Sequence, residues 1–262
     1  MAEQAQGGRL AAQAIAAEGV DTIFTLCGGH VMPVYEGCRH EGVRVVDVRH
    51  EQAAAHAAEA WGRINRSCGV AVVTAGPGVT GVVTAVANSF AAQTPLVVIG
   101  GARPLVQAGQ GALQELDQRS VLAPITKWSA VCTQPDRIPD HIATAFRHAL
   151  AQPRGPVYLE LPMDVLFDEG SAEVGRSRSD ARAFGDPREV MKAADLLTKA
   201  ERPAVVAGSG IWWDGAWKQL SFFVENGRLP VFLDGSGRGA LPPDHDLVFR
   251  HARDTEIGRA HV

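Results

Sequence analysis

VRVVDVRHEQAAAHAAEAWGRI, residues 43–64, is the stretch that decides the fold. Its first part, Val43–Val48, is rich in β-branched residues and predicts a strand, whereas Gln52–Ile64 is rich in alanine and predicts a helix. Only the polar segment Arg49–Glu51 separates the two. A strand joined to a helix by such a short connection is typical of α/β proteins with a parallel sheet.

The same alternation of short apolar segments and helical periodicity runs through the first two thirds of the chain. Further strands are predicted at Thr22–Leu26, Val70–Thr74, Leu96–Ile99 and Val157–Leu161, and further helices at Gly8–Gly19, Thr80–Ala92 and His141–Ala151. This order predicts an α/β fold, in which a parallel sheet is flanked by helices on both faces. Such sheets bind ligands in the loops that follow the carboxyl ends of their strands.

The polar segment 168–186, which contains glycine and serine, predicts a linker between two domains. Residues 1–167 are then the N-terminal domain, and residues 187–254 are the incomplete start of a Rossmann-like central domain. Residues 255–262 break the pattern and are expected to be a non-native tail, because Ile257–Val262 can be encoded by a common sequencing-library adapter. A truncated gene model is therefore expected, with a natural polar tail as the alternative.

Composition argues against several classes of function. A net charge of −4 over 262 residues gives no basic surface for nucleic acid. Four cysteines at positions 27, 38, 68 and 132 form neither a CxxC pair nor a zinc spacing, which predicts reduced thiols, a cytoplasmic protein and no metal site. No secretory signal is recognised, and no apolar run approaches the roughly 20 residues of a membrane span.

Three loops at predicted strand ends carry the candidate site residues. The paired glycines of Cys27–His30 either form a plain tight turn or let a ligand approach the backbone. Ala75–Gly78 could hold a phosphate at a helix N-terminus, although it is neither a Walker loop nor a GxGxxG motif. Taken alone, Glu51 is explained by the helix dipole, which favours an acidic residue at a helix start. Its small apolar neighbours favour a second interpretation, a desolvated carboxylate that handles a proton.

Taken in order, these segments resemble the N-terminal, pyrimidine-binding domain of the thiamine diphosphate-dependent acetolactate synthase family. The resemblance is carried by FTLCGGH (24–30), VVDVRHEQAAAHAAEAWGRI (45–64), VVTAGPGVTG (72–81), TPLVVIGG (94–101), GALQELDQ (111–118) and GPVYLELPMDV (155–165). RPAVVAGSGIWW (202–213) and GRGALPPDHDL (237–247) are similar to the family's central domain. The Gly-Gly-His form and the paired tryptophans resemble the acetolactate synthase-like branch near the 2-hydroxyacyl-CoA lyases.

The resemblance implies a role for each matching residue. Glu51 would be the catalytic residue, which hydrogen-bonds N1′ of the cofactor's aminopyrimidine and so favours the carbanion that attacks a 2-keto acid. Decarboxylation and addition to a second acceptor follow in the family. Besides Glu51, the cofactor-binding residues would be Gly28, Gly29, Pro77 and Gly78. The residues that contact substrate or support the site would be His30, His50, Gln114 and Lys127.

Departures from the family pattern leave other points open. Gly81 stands where the family usually has Asn, and Arg154 is shifted by one position from the family's flavin-contacting Arg. FAD or ADP is therefore an open candidate for the central domain, at Ala207–Gly210. The family's Gly-Asp-Gly…Asn motif, which holds Mg²⁺ and the diphosphate, does not occur in this sequence. Mg²⁺ is thus expected in a C-terminal domain, and the chain as written is expected to be inactive alone.

The resemblance also implies partners and leaves alternatives. The substrate would be a 2-keto acid or an acyl-CoA, and the full-length enzyme a homodimer or homotetramer; neither nucleic acid nor a membrane is expected as a partner. The first alternative is a 2-hydroxyacyl-CoA lyase or a lyase similar to oxalyl-CoA decarboxylase. The second, from another class, is a non-catalytic nucleotide-binding module.

Overall fold

The computed structural model of the protein describes residues 4–175 and 184–249. The chain divides into two compact units, residues 1–180 and residues 181–262. The predicted tail, residues 255–262, and part of the predicted linker, residues 176–183, lie outside the described residues. Within the described ranges, no helix is long and apolar enough to cross a membrane.

The described residues of the first unit form eight strands and eight α-helices. Its strands are β1 (Gln4–Gln6), β2 (Thr22–Leu26), β3 (Arg44–Asp47), β4 (Gly69–Val73), β5 (Leu96–Ala102), β6 (Ser129–Val131), β7 (Pro156–Pro162) and β8 (Glu169–Ser171). Its helices are α1 (Gly7–Ala17), α2 (Met32–Glu41), α3 (Glu51–Asn65), α4 (Pro77–Gly81), α5 (Val83–Ala91), α6 (Gln118–Leu122), α7 (Ile138–Leu150) and α8 (Met163–Phe167). Short 3₁₀ turns lie at Gly29–Val31, Leu105–Gln107, Ala123–Ile125 and Pro135–Arg137.

Six parallel strands form the main sheet, in the order β3-β2-β4-β5-β7-β6. Alternate residues of each strand point to opposite faces, and helices cover both faces. On β4, Val70 and Val72 pack in one core cluster with α1, α2 and α7, whereas Ala71 and Val73 pack in a second cluster with α3 and α5. Because both faces are buried, the central strands are continuously apolar.

A separate two-stranded ribbon joins the start of the chain to the end of the first unit. β1 pairs antiparallel with β8, and Gln6 lies opposite Glu169. Glu169–Ser171 falls within the segment predicted as a linker, so the first part of that segment is a β-strand that pairs with β1. The domain bounds of 1–167 and 187–254 remain a prediction.

In the second unit, residues 184–249 form three parallel strands in the order β11-β10-β9. The strands are β9 (Val205–Ala207), β10 (Val231–Leu233) and β11 (Val248–Phe249), the helices are α9 (Pro187–Lys199), α10 (Ser209–Asp214) and α11 (Trp217–Gly227), and a 3₁₀ turn lies at Gly235–Gly237. Val224 of α11 and Val231 of β10 are fully buried in its small core. This is an α/β arrangement like that of the first unit.

The predicted fold class is therefore confirmed, with differences in individual elements. Helix α2 was not predicted, because its sequence contains Pro33 and Gly37. Pro33 is tolerated in the first turn of a helix. Gly37 is required by close packing, since an added Cβ would lie 2.6 Å from the carbonyl oxygen of Gly8 in α1. The helix predicted at Thr80–Ala92 begins earlier, at Pro77, and is divided at Val82.

Candidate functional site

The candidate site lies at the carboxyl ends of neighbouring strands. β2, β4 and β5 are adjacent in the sheet, and their ends lead into residues 27–31, 74–76 and 103–117. β3 pairs with the other side of β2 and leads into α3, which begins at Glu51. Because parallel strands all end at the same edge, the topology brings these segments together.

Thr74 holds the first two loops together. A Cβ added at Gly28 would lie 2.5 Å from Thr74 Oγ1 and 2.8 Å from its Cγ2, and one added at Gly78 would lie 2.8 Å from the same Cγ2. Gly28 has a φ of −159°, an extended conformation that any residue adopts. Glycine is therefore required there by close packing, and both loop backbones contact one threonine side chain.

His30 lies behind this contact. Only 6% of the residue is exposed, and its Nδ1 is 3.1 Å from Thr74 Oγ1, a hydrogen-bonding distance. Gly101 of β5 leaves room for it, since an added Cβ would lie 2.6 Å from His30 Cβ. Burial lowers the pKa of His30, and a backbone hydrogen bond with Leu113 opposes that effect. The imidazole is therefore neutral at neutral pH.

Glu51 is the first residue of α3 and is half-buried. A Cβ added at Gly81 would lie 2.9 Å from Glu51 Oε2 and 3.4 Å from Glu51 Cδ. The end of α4 thus lies against the carboxyl group of Glu51. Ala54 and Ala55, which follow Glu51 in α3, are buried in the core. The lack of a side chain at Gly81 gives the carboxylate its place beside the Pro77–Gly81 turn.

His50 has a structural contact at the start of α3. It is the N-cap residue, and its Nδ1 accepts a hydrogen bond from the backbone N–H of Gln52 at 3.1 Å. The side chain is exposed. His50 therefore caps the amino-terminal end of α3.

Gln114 lies against the turn that contains Pro77 and Gly78. Gly76, which opens this turn, has φ +57° and ψ −110°, a conformation that favours glycine. A Cβ added at Gly76 would lie 2.9 Å from both the Cβ and the carbonyl oxygen of Gln114. The structure therefore brings Gln114 to the same edge as the Gly76–Gly78 turn.

Glu115 orders the loop that carries Gln114. Its carboxylate accepts hydrogen bonds from Arg103 Nε at 2.7 Å and from the backbone N–H groups of Gly109 at 2.7 Å and Gly111 at 3.0 Å. The Gly109 amide first, and then Arg103, hold the pKa of this carboxyl below its usual value. An ionised side chain thus fixes the loop after β5.

Lys127 is separated from the other predicted site residues. Its backbone N–H donates to the carbonyl of Pro156 at the start of β7, so it lies at the amino-terminal edge of the sheet. Its ammonium donates to the carbonyls of His148 and Ala151 at the end of α7, the latter at 2.6 Å. Burial, with a smaller effect from the charge of Arg154, lowers its pKa. Lys127 therefore stabilises a helix end.

Two residues at the site carried no signal that drew attention in the sequence, Thr74 and Gln118. Thr74 follows an apolar strand, where a threonine is unremarkable. Gln118 ends the GALQELDQ segment, yet its side chain is buried and accepts a hydrogen bond from the Gly76 N–H at 2.6 Å. Both are polar residues whose partners come from other loops, so only the folded chain identifies them.

Comparison with known proteins identifies both units. Residues 5–121 match the family model described as thiamine pyrophosphate enzyme, N-terminal TPP binding domain, and residues 190–255 match the thiamine pyrophosphate enzyme, central domain. The chain is 39% identical over 265 residues to the acetolactate synthase large subunit IlvG of Mycobacterium tuberculosis, a match that covers 100% of this chain and 48% of the relative.

Two further relatives show the same pattern. A probable acetolactate synthase large subunit of Methanocaldococcus jannaschii is 35% identical over 250 residues, covering 93% of this chain and 42% of the relative. The 2-hydroxyacyl-CoA lyase 2 of Homo sapiens is 35% identical over 297 residues, covering 98% of this chain and 46% of the relative. The chain spans about half the length of the curated relatives it matches.

Proposed function

Because this chain belongs to the thiamine pyrophosphate enzymes, we propose that its first unit binds the aminopyrimidine end of thiamine diphosphate and that Glu51 is the activating carboxylate. The observation that carries this proposal is the contact of the Glu51 carboxyl with Gly81. An acidic side chain thus lies beside the end of α4, at the edge of the sheet where parallel α/β folds bind ligands.

The shape of the loops fits such a ligand. Among the described residues, apart from Gly29 itself and its neighbours in the chain, no heavy atom would lie within 4 Å of a Cβ added at Gly29, so the outer side of this loop is open. On its inner side, Gly28 rests on Thr74. A planar ring can therefore approach the backbone at Gly29 closely without meeting a side chain from that residue.

The residues of this chain have distinct parts in the proposed chemistry. When bound, thiamine diphosphate supplies the carbon nucleophile and the electron sink that decarboxylation needs. Glu51 holds a hydrogen bond or a proton at its carboxylate, as a general acid–base group does. His30, neutral and bonded to Thr74, positions the Gly28–Gly29 loop. Gln114 lies over the Gly76 turn and limits access of water to it.

The activity we propose for the whole protein is decarboxylation of a 2-keto acid followed by carboligation, as in an acetolactate synthase. The acetolactate synthase names of two relatives support it. Cleavage of a 2-hydroxyacyl-CoA is the second candidate, and the name of the human relative supports that one.

Finer assignments belong to the same proposal. Mg²⁺ would accompany the cofactor, and within the described residues no group of three or more His, Cys, Asp or Glu side chains could hold a metal ion. FAD or ADP would bind the second unit near Gly208 and Gly210. There, added Cβ atoms would meet no described residue within 4 Å outside the adjoining backbone. We also propose a cytoplasmic homodimer or homotetramer.

Cofactor binding is tested by titrating the ¹⁵N-labelled chain with thiamine diphosphate and Mg²⁺ and following backbone amides by NMR. We expect the amides of Gly28, Gly29 and Gly81 to shift together, and to shift less in Glu51→Gln. Glu173→Gln, the same substitution at an exposed position of the first unit, is the matched control. Shifts confined to residues 205–240 would instead support the nucleotide-binding module.

Activity is tested on the whole protein, with pyruvate and a 2-hydroxyacyl-CoA as competing substrates. Acetolactate is the expected product from pyruvate. Glu51→Gln should lower kcat by about 10²–10⁴-fold, the usual loss for a general acid–base group. Activity of this variant within a few-fold of wild type would contradict the role of Glu51, whereas cleavage of the acyl-CoA alone would favour the lyase.

A further inference from the structure

Gln118 lies at the centre of a buried hydrogen-bond network that connects the Gly76 turn to two strands. The residue is 1% exposed and begins α6. Its Oε1 accepts from the Gly76 N–H at 2.6 Å. Its Nε2 lies 3.0 Å from the carbonyl oxygen of Gly101 in β5 and 2.9 Å from Glu160 Oε2 in β7.

The partners fix the orientation of the Gln118 amide. The group of Gly76 that faces Gln118 is its N–H, and the group of Gly101 that faces Gln118 is its carbonyl, so the amide oxygen must face Gly76 and the NH₂ group must face Gly101. The NH₂ group has two hydrogens and three acceptors within reach, the Gly101 carbonyl, Glu160 Oε2 and the Tyr158 hydroxyl oxygen at 3.1 Å. The buried Tyr158 hydroxyl, 3.2 Å from Glu160 Oε2, can donate to the same carboxylate. Every polar atom of the Gln118 side chain is thus engaged.

The network bears on the candidate site because Gln118 supplies the acceptor for the Gly76 N–H. Gly76 is buried and adopts a conformation that favours glycine, so an unpartnered N–H there would be costly. Gln114, four residues before Gln118, packs on the other side of Gly76. A shift of Gln118 would therefore move both the turn and the loop that lies over it.

We propose that Gln118 is a positioning residue, which sets the place of the Gly76–Gly78 turn relative to β5 and β7 and thereby shapes the ligand site. The proposal rests on the proposed function only where it concerns ligand binding. The claim that Gln118 fixes the Gly76–Gly78 turn by hydrogen bonds concerns the free chain and can be tested without a ligand.

Three variants separate hydrogen bonding from size and charge. Gln118→Met keeps the length of the side chain and removes all its hydrogen bonds. Gln118→Glu keeps an acceptor for the Gly76 N–H but places a second carboxylate beside that of Glu160, which it repels. The double variant Gln118→Glu/Glu160→Gln restores a donor between the two positions. Gln107→Met, at an exposed position of the same loop, is the matched control.

The first measurement is hydrogen exchange at the Gly76 amide in the free chain. We expect exchange to accelerate about ten- to hundredfold in Gln118→Met, since a buried hydrogen bond is lost, and to remain unchanged in Gln107→Met. The double variant should exchange more slowly than Gln118→Glu. Unchanged protection in Gln118→Met overturns the proposal. If that variant does not fold, failure of the double variant to improve on Gln118→Glu overturns it.

The second measurement is the Kd for thiamine diphosphate, from the shifts of the Gly29 and Gly81 amides. We expect a Kd at least about tenfold weaker in Gln118→Met, with partial recovery from Gln118→Glu to the double variant. Equal Kd values in all variants, despite faster Gly76 exchange, would show that Gln118 is structural only. Absence of shifts in the wild-type chain would count against the proposed function, while the Gly76 exchange result would still decide the positioning of the turn.

Discussion

Replacing each of the two adjacent glycines of the first loop by alanine is the sharpest test of the site geometry. At Gly28, the new methyl group would overlap with the Thr74 side chain. It would lie 2.5 Å from Thr74 Oγ1 and 2.8 Å from Cγ2, and still nearer to Thr74 Cβ. At Gly29, it would meet nothing within 4 Å. Neither glycine has a positive φ, so backbone strain does not distinguish the two positions.

The structure gives the sign and size of each effect. Overpacking of this kind costs about 1–3 kcal/mol, so Gly28→Ala should destabilise the first unit by at least that amount. Gly29→Ala should stabilise it by about 0.4–1 kcal/mol, because alanine reduces the conformational freedom of the unfolded chain. For a unit of this size, 1 kcal/mol corresponds to a change in Tm of about 2–4 °C.

The assay must report on the first unit alone, since the chain has two units. Hydrogen exchange of peptides from β2 and β4, measured against urea concentration, gives the free energy of unfolding of this unit. A Gly28→Ala protein as stable as wild type would refute the close contact with Thr74. Equal destabilisation by both substitutions would show that the loop requires glycine for its backbone, contrary to the geometry described above.

Three further predictions concern Gly81, His30 and Lys127. Gly81→Ala should push the Glu51 carboxyl aside and weaken thiamine diphosphate binding in the NMR titration. It should lower the urea midpoint less than Gly28→Ala does, because Glu51 Oε2 can rotate away and the next contact, Glu51 Cβ at 3.1 Å, needs only a small shift. The lowered pKa of His30 means that the unfolded chain takes up a proton first as the pH falls, so stability should be highest above about pH 6.5 and decrease toward pH 5. His30→Gln should flatten this pH dependence, and an unchanged slope in urea titrations would contradict the burial of a neutral imidazole. Lys127→Met should lower the Tm through loss of the α7 cap and leave the cofactor titration unchanged; a weaker Kd would place Lys127 at the site after all.

The sequence alone determined the fold class and the region of the site. Apolar strands such as Val70–Thr74 that alternate with helices specify a parallel sheet, since such strands must be buried on both faces. Strand ends in parallel sheets lie at one edge, so the grouping of Gly28, Gly78 and Glu51 follows from topology. The family resemblance named Glu51 without any structural information.

Only the tertiary structure decided which neighbours support these residues. Thr74, Gln118 and Glu115 act through hydrogen bonds and contacts with loops distant in sequence, and no local pattern records those partners. Lys127 is separated from the other predicted site residues because it lies beside the start of β7, at the amino-terminal edge of the sheet.

The contrast between Gly28 and Gly29 shows most clearly what the sequence alone does not determine. In the sequence they are identical neighbours, and either could serve a tight turn or a ligand. In the folded chain one rests on Thr74 and the other faces open space, because the end of β4 lies beside only one of them. A sequence specifies which residue types stand at a strand end, whereas packing between strands decides what each of them touches.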